Sequence, residues 1–152
     1  MSVKIIAVGK KHESWVHEGV ERYQKRLRAP FSAEWILLPH SSLEGDRARL
    51  EESERILSSI KPDDFVILLD ERGTALDSPG LAALLQKQFV GSRPVLCVIG
   101  GAYGVDDRVR TRANLVWSLS PLVFPHQLVR LVLVEQLYRA QEITSGGKYH
   151  HD

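Results

Sequence analysis

The chain alternates between short apolar runs and longer segments that carry the spacing of amphipathic helices. Five runs have the length and composition of buried strands, at residues 3–8, 33–38, 64–69, 95–99 and 115–119. Between them, apolar residues recur at intervals of three and four, as at Val16, Val20, Tyr23 and Leu27. This alternation predicts an α/β fold, with a mostly parallel sheet and helices on both faces.

Composition narrows the class of protein. The chain has 152 residues without a linker or internal repeat, so we expect residues 1–152 to form a single domain. A net charge of +1 excludes the strongly basic field of many free-standing nucleic-acid binders. The single Cys97 predicts a buried thiol in a reduced compartment. No signal peptide and no apolar run of about 18 residues is present, which predicts a soluble, cytoplasmic protein.

Two unusual loops follow the fourth and fifth predicted strands. Residues 100–104, here called the glycine bend, read Gly-Gly-Ala-Tyr-Gly, and residues 120–125, here called the proline loop, read Ser-Pro-Leu-Val-Phe-Pro. In open α/β sheets, ligands bind outside the carboxyl ends of strands. The glycine bend lacks the G-x-G-x-x-G spacing and the Walker lysine, so a plain tight turn explains it equally well. The proline loop is rigid and apolar, which predicts that it is buried, either by plain packing or, as we favour, as a pocket wall.

The last helix and the tail carry the remaining signals. The segment from Gln127 to Ile143 is apolar nearly all round, which predicts burial in a homodimer, with a central core helix as the alternative. Its charged residues Arg130, Glu135 and Arg139 fit either internal pairing or the binding of an anion. The tail, residues 144–152, ends in aromatic and imidazole groups. It fits either a frayed end or an RNA-facing segment, and a metal site is not expected.

Several motifs, taken together, resemble those of the RlmH family of SPOUT-class methyltransferases. The resemblance extends over the whole chain and keeps the order and spacing of the motifs. They lie at residues 1–9, 66–70, 98–101, 117–120, 124–130, 135–140 and 149–150. The family modifies N3 of a pseudouridine in large-subunit ribosomal RNA.

The resemblance implies a fold, a cofactor and partners. The expected fold is an α/β domain whose C-terminal part forms a trefoil knot, in a homodimer that buries the last helix. The expected cofactor is S-adenosylmethionine, and the expected substrate is ribosomal RNA within the assembled ribosome. The positions that would line the cofactor are Leu69, Gly100, Leu119, Ser120, Pro121, Leu122, Val123 and Phe124.

The same resemblance assigns catalytic roles. His150 is the candidate base, and Tyr149 would stack on or order the target nucleobase. Arg130 and Arg139 would neutralise phosphate or carbonyl charge, and Glu135 would orient an arginine. In the family, the tail of one subunit is thought to complete the site of the other.

One departure and two rival functions accompany this interpretation. Where relatives usually place a basic residue after the Tyr-His pair, this chain has His151 and Asp152, which predicts a weaker or pH-dependent contact between the tail and RNA. One rival is a ribosome-binding factor that keeps the pocket without catalysis. The other is a dinucleotide enzyme built on the glycine bend, against which the missing glycine spacing counts.

Overall fold

A five-stranded, all-parallel sheet forms the centre of the molecule in the computed structural model, which describes residues 1–151. Asp152 lies outside the described residues. The strand order is β2-β1-β4-β3-β5. The strands are β1 (Val3–Val8), β2 (Ala33–Leu38), β3 (Phe65–Ala75), β4 (Val95–Ile99) and β5 (Leu115–Ser118). The prediction of an α/β fold with a parallel sheet is confirmed.

Five helices cover the two faces of this sheet. They are α1 (Ser14–Gln24), α2 (Gly45–Ser58), α3 (Ser78–Val90), α4 (Asp107–Arg112) and α5 (His126–Ser145). One apolar core joins the sheet to α1, α3 and α5, and a second joins its other face to α2 and α4. Side chains along β1 alternate between the two cores, since successive strand residues point to opposite faces. Helices therefore lie on both faces, as predicted.

The central strand β4 is buried along its whole length. Its five residues are each no more than 3% exposed. β4 pairs with β1 on one side and β3 on the other, so its backbone groups have partners along both edges. Cys97 lies in this strand, and burial raises the pKa of its thiol to about 12, which keeps it protonated and unreactive.

Helix α5 is only partly covered by the rest of its own chain. Its buried stripe contains Arg130, Leu133, Leu137 and Ala140, whereas Leu128 and Val132 are half-buried on the other side. The helix ends at Gly146, which has a φ of 76° and allows the amide of Gly147 to bond the carbonyl of Glu142 at 2.8 Å. A helix that is apolar all round is thus only partly buried by its own chain.

Strand β3 continues beyond its predicted end at Leu69. Both Leu69 and Thr74 are paired with Trp117 of β5, so residues 70–73 bulge out of the ladder. At Gly73 the two strands approach so closely that a Cβ atom would lie 2.4 Å from the Val116 carbonyl oxygen and 2.9 Å from the Trp117 nitrogen. Only glycine fits this approach without moving β5.

No helix in the described part of the chain is both long enough and apolar enough to cross a membrane.

We predict that Gly73→Ala lowers the free energy of unfolding by about 1–3 kcal/mol, because the added methyl group overpacks a contact made of backbone atoms. Urea unfolding followed by circular dichroism measures the change. Gly91→Ala is the matched control. A Cβ there lies 3.5 Å from its nearest neighbour, the Lys87 carbonyl oxygen, so the free energy of unfolding is expected to change little. Equal midpoints for the two variants would contradict this account of the β3–β5 contact.

Candidate functional site

A cavity of about 680 Å³ opens at the carboxyl ends of β3, β4 and β5. The glycine bend and the proline loop both line it, together with the first turn of α5. Seven of the eight positions that the family resemblance assigns to the cofactor lie in its wall: Leu69, Gly100, Leu119, Ser120, Leu122, Val123 and Phe124. Pro121 is exposed and does not line the cavity.

The glycine bend is held against a buried carboxylate. The bend closes through the Gly104 amide, which donates to the Gly101 carbonyl at 3.0 Å. Glu52 of α2 is only 3% exposed, and its Oε2 accepts a hydrogen bond from the Ser41 amide at 2.8 Å. A Cβ atom at Gly101 would lie 2.8 Å from Glu52 Oε1 and 3.1 Å from a methyl group of Val8. Gly101 therefore lets the backbone lie directly on α2 and β1.

The proline loop is not buried, contrary to the prediction from its apolar composition. Leu122 and Val123 are 68% and 77% exposed, and only Phe124 is half-buried among its apolar side chains. Polar contacts set the loop's shape, since the Ser118 hydroxyl donates to the Ser120 carbonyl at 2.9 Å and the Leu122 amide donates to the Ser120 hydroxyl at 3.1 Å. The loop forms an apolar rim at the mouth of the cavity.

The arginines that line the cavity are paired with carboxylates. Asp70, whose side chain is 9% exposed, accepts from Arg110 at 2.6 Å and from Arg72 at 3.3 Å. Arg49 of α2 also lines the cavity and forms an ion pair with Asp46. The cations at the cavity therefore already have carboxylate partners, so the wall is close to neutral. A neutral, partly apolar wall suits an uncharged heterocycle better than a polyphosphate.

His126 begins α5 and also lines the cavity. Its Nδ1 atom is buried and has no hydrogen-bond partner among the described residues. Burial, together with the nearby charge of Arg130, lowers the pKa of His126, so the ring is neutral at pH 7. A neutral imidazole can accept or donate a hydrogen bond at the cavity without adding charge.

Arg130 lies away from the cavity and is fully buried. Its Nη2 atom donates to the carbonyls of Val8 and Gly9 at 3.0 and 3.1 Å. Its Nη1 atom donates to the Lys11 carbonyl at 3.0 Å and lies 3.2 Å from Nδ1 of His12. In this arrangement Arg130 ties α5 to the chain that follows β1, and its Nη atoms have protein partners. The anion-binding role predicted for it stays a prediction.

The other four predicted catalytic residues come together on the last helix and the tail. We call Glu135, Arg139, Tyr149 and His150 the tail cluster. Glu135 Oε1 accepts from Arg139 Nη2 at 2.6 Å and from the Tyr149 hydroxyl at 3.1 Å. The Arg139 guanidinium lies 4.8 Å from the centre of the Tyr149 ring, and its Nη1 is 3.2 Å from His150 Nδ1. Internal pairing of Glu135 with Arg139 was one of the two alternatives that the sequence offered, whereas their contacts with Tyr149 and His150 were not predicted.

Tyr149 is a hydrogen-bond donor in this cluster. Burial, a hydrogen bond with Tyr23 and the charge of Glu135 all raise the pKa of its hydroxyl above the ordinary value for tyrosine. The phenol is therefore uncharged over the physiological range. Its ring also packs edge-on against Tyr138, with ring centres 4.8 Å apart. These contacts order the tail on α5, so an end that composition marks as flexible has a defined position.

Sequence reasoning missed several residues at the cavity. Asp70 could have been found, because it directly follows a strongly apolar strand in a fold that places ligands at strand ends. Arg49 and Arg110 come from helices on the second face, and nothing in their local sequence distinguishes them from solvated surface charges. His126 was seen only as part of a family motif.

Residues 1–151 contain no group of three or more His, Cys, Asp or Glu side chains that could hold a metal ion.

The family model and the relatives of known name agree on one family. Residues 1–150 match the family model described as predicted SPOUT methyltransferase. The ribosomal RNA large subunit methyltransferase H of Pelobacter propionicus is 41% identical over 153 residues, covering 99% of this chain and all of that protein. The protein of the same name from Prochlorococcus marinus is 42% identical over 149 residues, covering 98% of this chain and 95% of that protein.

A solved structure supports the fold. A probable methylase family protein from Haemophilus influenzae superposes with a TM-score of 0.54 at 13% identity, covering 99% of this chain and 70% of that one. At this identity the likeness concerns the fold alone. Taken with a family model that covers nearly every residue and relatives matched from end to end, these findings show that the chain belongs to the SPOUT methyltransferase family, beside the ribosomal RNA large subunit methyltransferase H proteins.

Proposed function

We propose that this protein transfers a methyl group from S-adenosylmethionine to N3 of a pseudouridine in large-subunit ribosomal RNA. The observation that carries the proposal is the single cavity formed by the glycine bend and the proline loop at the strand ends. The relatives that match from end to end are named as ribosomal RNA methyltransferases, which supports the substrate class. The near-neutral charge favours recognition of the assembled ribosome in the cytoplasm over binding to naked RNA.

The residues present fit S-adenosylmethionine. The cavity has the size of a nucleoside site, an apolar rim and few unpaired charges. The bend at Gly100 and Gly101 brings backbone against the cavity where a side chain would collide, since a Cβ at Gly100 would lie 3.1 Å from Val105. Leu119, Leu122 and Phe124 would pack on the adenine, and the backbone of the bend would approach the ribose. When bound, S-adenosylmethionine supplies an electrophilic methyl group on a sulfonium centre.

The tail cluster supplies the remaining chemistry in this proposal. N3 of pseudouridine keeps its proton at neutral pH, so the proton must leave as the N–CH3 bond forms. A guanidinium can only donate a hydrogen bond, so Nδ1 of His150 is the acceptor in its contact with Arg139. His150 can take the N3 proton at Nδ1 only after this contact opens. Glu135 holds Arg139 from the other side and so limits where the guanidinium moves.

A homodimer is part of the same proposal. Leu128 and Val132 lie one turn apart on α5, are half-buried, and belong to neither apolar core of the single chain. The exposed Leu122 and Val123 precede the same helix. A second copy packed on this surface would cover all four side chains in an isologous interface. The trefoil knot likewise remains a proposal, made on the family resemblance.

We predict that Val132→Asp shifts the protein towards monomer, because a carboxylate in an apolar interface loses its hydration without gaining a partner. Sedimentation velocity at several protein concentrations gives the fraction of dimer. Val90→Asp is the matched control, since Val90 is 76% exposed on α3 and lies away from this surface. If both variants keep the sedimentation coefficient of the wild-type dimer, this face of α5 does not form the interface.

We predict that Gly101→Ala weakens S-adenosylmethionine binding about tenfold or more. The added methyl group would collide with Glu52, which cannot yield easily because it is buried and bonded to the Ser41 amide, so the bend must move into the cavity. Isothermal titration calorimetry measures the dissociation constant, with circular dichroism to verify folding. Gly91→Ala serves again as the control. Wild-type affinity in a folded Gly101→Ala protein would count against the bend as part of the cofactor site.

We predict that truncation after Gly147 leaves S-adenosylmethionine affinity within about twofold but lowers methylation of ribosomes by about a hundredfold or more. The truncation removes Tyr149 and His150, which contribute no wall to the cofactor cavity. His151→Ala is the control, because this exposed side chain lies outside the cluster. Transfer of a tritiated methyl group to ribosomes that lack the modification gives the methylation rate. An unchanged rate in the truncated protein would show that the tail has no role in catalysis. Retained cofactor binding with no product from the wild type would favour a non-catalytic ribosome-binding factor.

A further inference from the structure

The end of α1 carries the densest group of positive charges in the chain. Arg22, Lys25, Arg26 and Arg28, here called the basic ridge, lie within seven residues that contain no Asp or Glu. No other stretch of seven residues has as many Lys or Arg, and the whole chain has a net charge of only +1. All four residues are exposed. The protein is therefore nearly neutral overall but strongly basic at one place on its surface.

Carboxylates do not neutralise the basic ridge. Six arginines elsewhere in the chain form ion pairs with Asp or Glu, whereas within residues 1–151 none of the ridge side chains does. Glu18 and Glu21 stand four residues before Arg22 and Lys25, which is the spacing of a helical ion pair, yet neither pair forms in the described chain. The ridge cations are thus available to an anionic partner.

Helix stability does not account for four neighbouring cations. The C-terminal end of a helix carries the equivalent of about half a negative charge, which one or two basic residues satisfy. Arg22 lies in the last turn of α1 and Lys25 is its C-cap, so these two can serve the helix. Arg26 and Arg28 lie beyond the helix and add mutual repulsion. A bound polyanion would remove that repulsion.

Hydrogen bonds hold the backbone of the basic ridge against α5. Oε1 of Gln141 accepts from the Arg28 amide at 2.7 Å, and its Nε2 donates to the Arg26 carbonyl at 3.0 Å. Tyr23, which lies within the ridge, is hydrogen-bonded with Tyr149 of the tail cluster. The ridge is therefore fixed beside the tail, and this placement also holds for a tail that completes the site of the partner subunit.

The composition of the basic ridge favours phosphate groups of RNA as the partner. Three of its four cations are arginines, whose planar N–H fork matches the oxygens of a phosphate. A lipid surface would also require exposed apolar side chains among the charges. Leu27 is the aliphatic residue of this stretch, and it is 9% exposed and belongs to the core. A phosphate backbone needs only the charges and the donors that the ridge presents.

We propose that the basic ridge binds the phosphate backbone of a ribosomal RNA segment that flanks the target nucleotide. The inference rests on the proposed function, because the tail beside the ridge is assigned there to the methyl acceptor. Contacts with phosphates position RNA without reading its sequence directly. The ridge therefore supplies affinity and orientation, while the choice of nucleotide is made elsewhere. A protein that is close to neutral can hold a highly charged substrate if one edge of its surface is basic.

The test compares two variants that lose the same number of charges. Lys25→Gln combined with Arg26→Gln neutralises half of the ridge, and glutamine has a helix propensity similar to that of the residues it replaces. Lys61→Gln combined with Lys87→Gln is the matched control, since both lysines are exposed and lie outside the ridge. The dissociation constant of each full-length protein for large ribosomal subunits that lack the modification is measured at several KCl concentrations.

The ridge variant is expected to bind these subunits about tenfold more weakly than the wild type does. The slope of log Kd against log KCl concentration is expected to fall by about 1–2, because each phosphate contact contributes about 0.7–0.9 to it. The control variant is expected to keep both the affinity and the slope of the wild type. In methylation assays the ridge variant is expected to raise KM for ribosomal subunits, with kcat and S-adenosylmethionine affinity within about twofold, since the ridge does not line the cavity.

A photo-crosslinker attached to Arg28→Cys identifies the class of partner. Cys97 is the only native cysteine and is buried, so the introduced thiol alone reacts with the reagent. Irradiation in the presence of the ribosomal subunits is expected to give a product with ribosomal RNA, which ribonuclease removes. A product formed only with a ribosomal protein would show that the ridge contacts protein and would overturn RNA as its partner.

Two binding results would also overturn the inference: equal weakening in the ridge and control variants, or wild-type salt slopes in both. Methyl transfer by the wild type, measured on the same ribosomal subunits, separates this failure from failure of the proposed function. Active transfer with an unchanged slope in the ridge variant overturns the ridge alone. A reduced slope without transfer by the wild type supports the ridge and overturns the proposed function. A wild type that does not bind the subunits overturns both.

Discussion

Parallel pairing around β4 is the constraint on which the rest of the structure depends. β4 binds β1 and β3 along its two edges, and β3 binds β5, so four strands end on the same side of the molecule. Parallel sheets need helical crossovers that cover both faces, which leaves the strand ends as the place where loops can form a cavity. The glycine bend follows β4 and the proline loop follows β5. Their meeting is therefore a result of topology.

Buried polar groups then fix the positions of the helices around that cavity. The Nη atoms of Arg130 donate to backbone carbonyls at and after the end of β1 and contact His12. These contacts fix the start of α5 relative to the sheet. Glu52 does the same for α2, through the Ser41 amide behind the glycine bend. Each group would be costly to bury without these partners. The position of the cavity is thus fixed in part by buried polar groups that do not line it.

Much of this arrangement could be predicted from the sequence, and the exceptions have physical causes. The strands Val3–Val8, Ala33–Leu38 and Val95–Ile99 begin and end as predicted, because buried parallel strands are nearly uninterrupted apolar runs. β3 continues past Leu69 because its second half pairs with β5 after a bulge, a tertiary contact that leaves no local pattern. The proline loop is exposed because serine hydrogen bonds, together with its prolines, hold its shape without burial. The contacts within the tail cluster depend on where α5 ends, which apolar periodicity does not reveal.

The tail cluster explains how an end that composition marks as flexible takes a defined position. Ordering a tail costs conformational entropy, about 1–2 kcal/mol for each residue fixed. Tyr149 offsets part of this cost through its contacts with Tyr138, Arg139 and Glu135, all on α5. Because Glu135 also binds Gln136, and Gln136 binds Ser78, the order of the tail reaches the start of α3. None of these residues lines the cavity at the strand ends, so the tail and the proposed cofactor site are supported by separate parts of the chain.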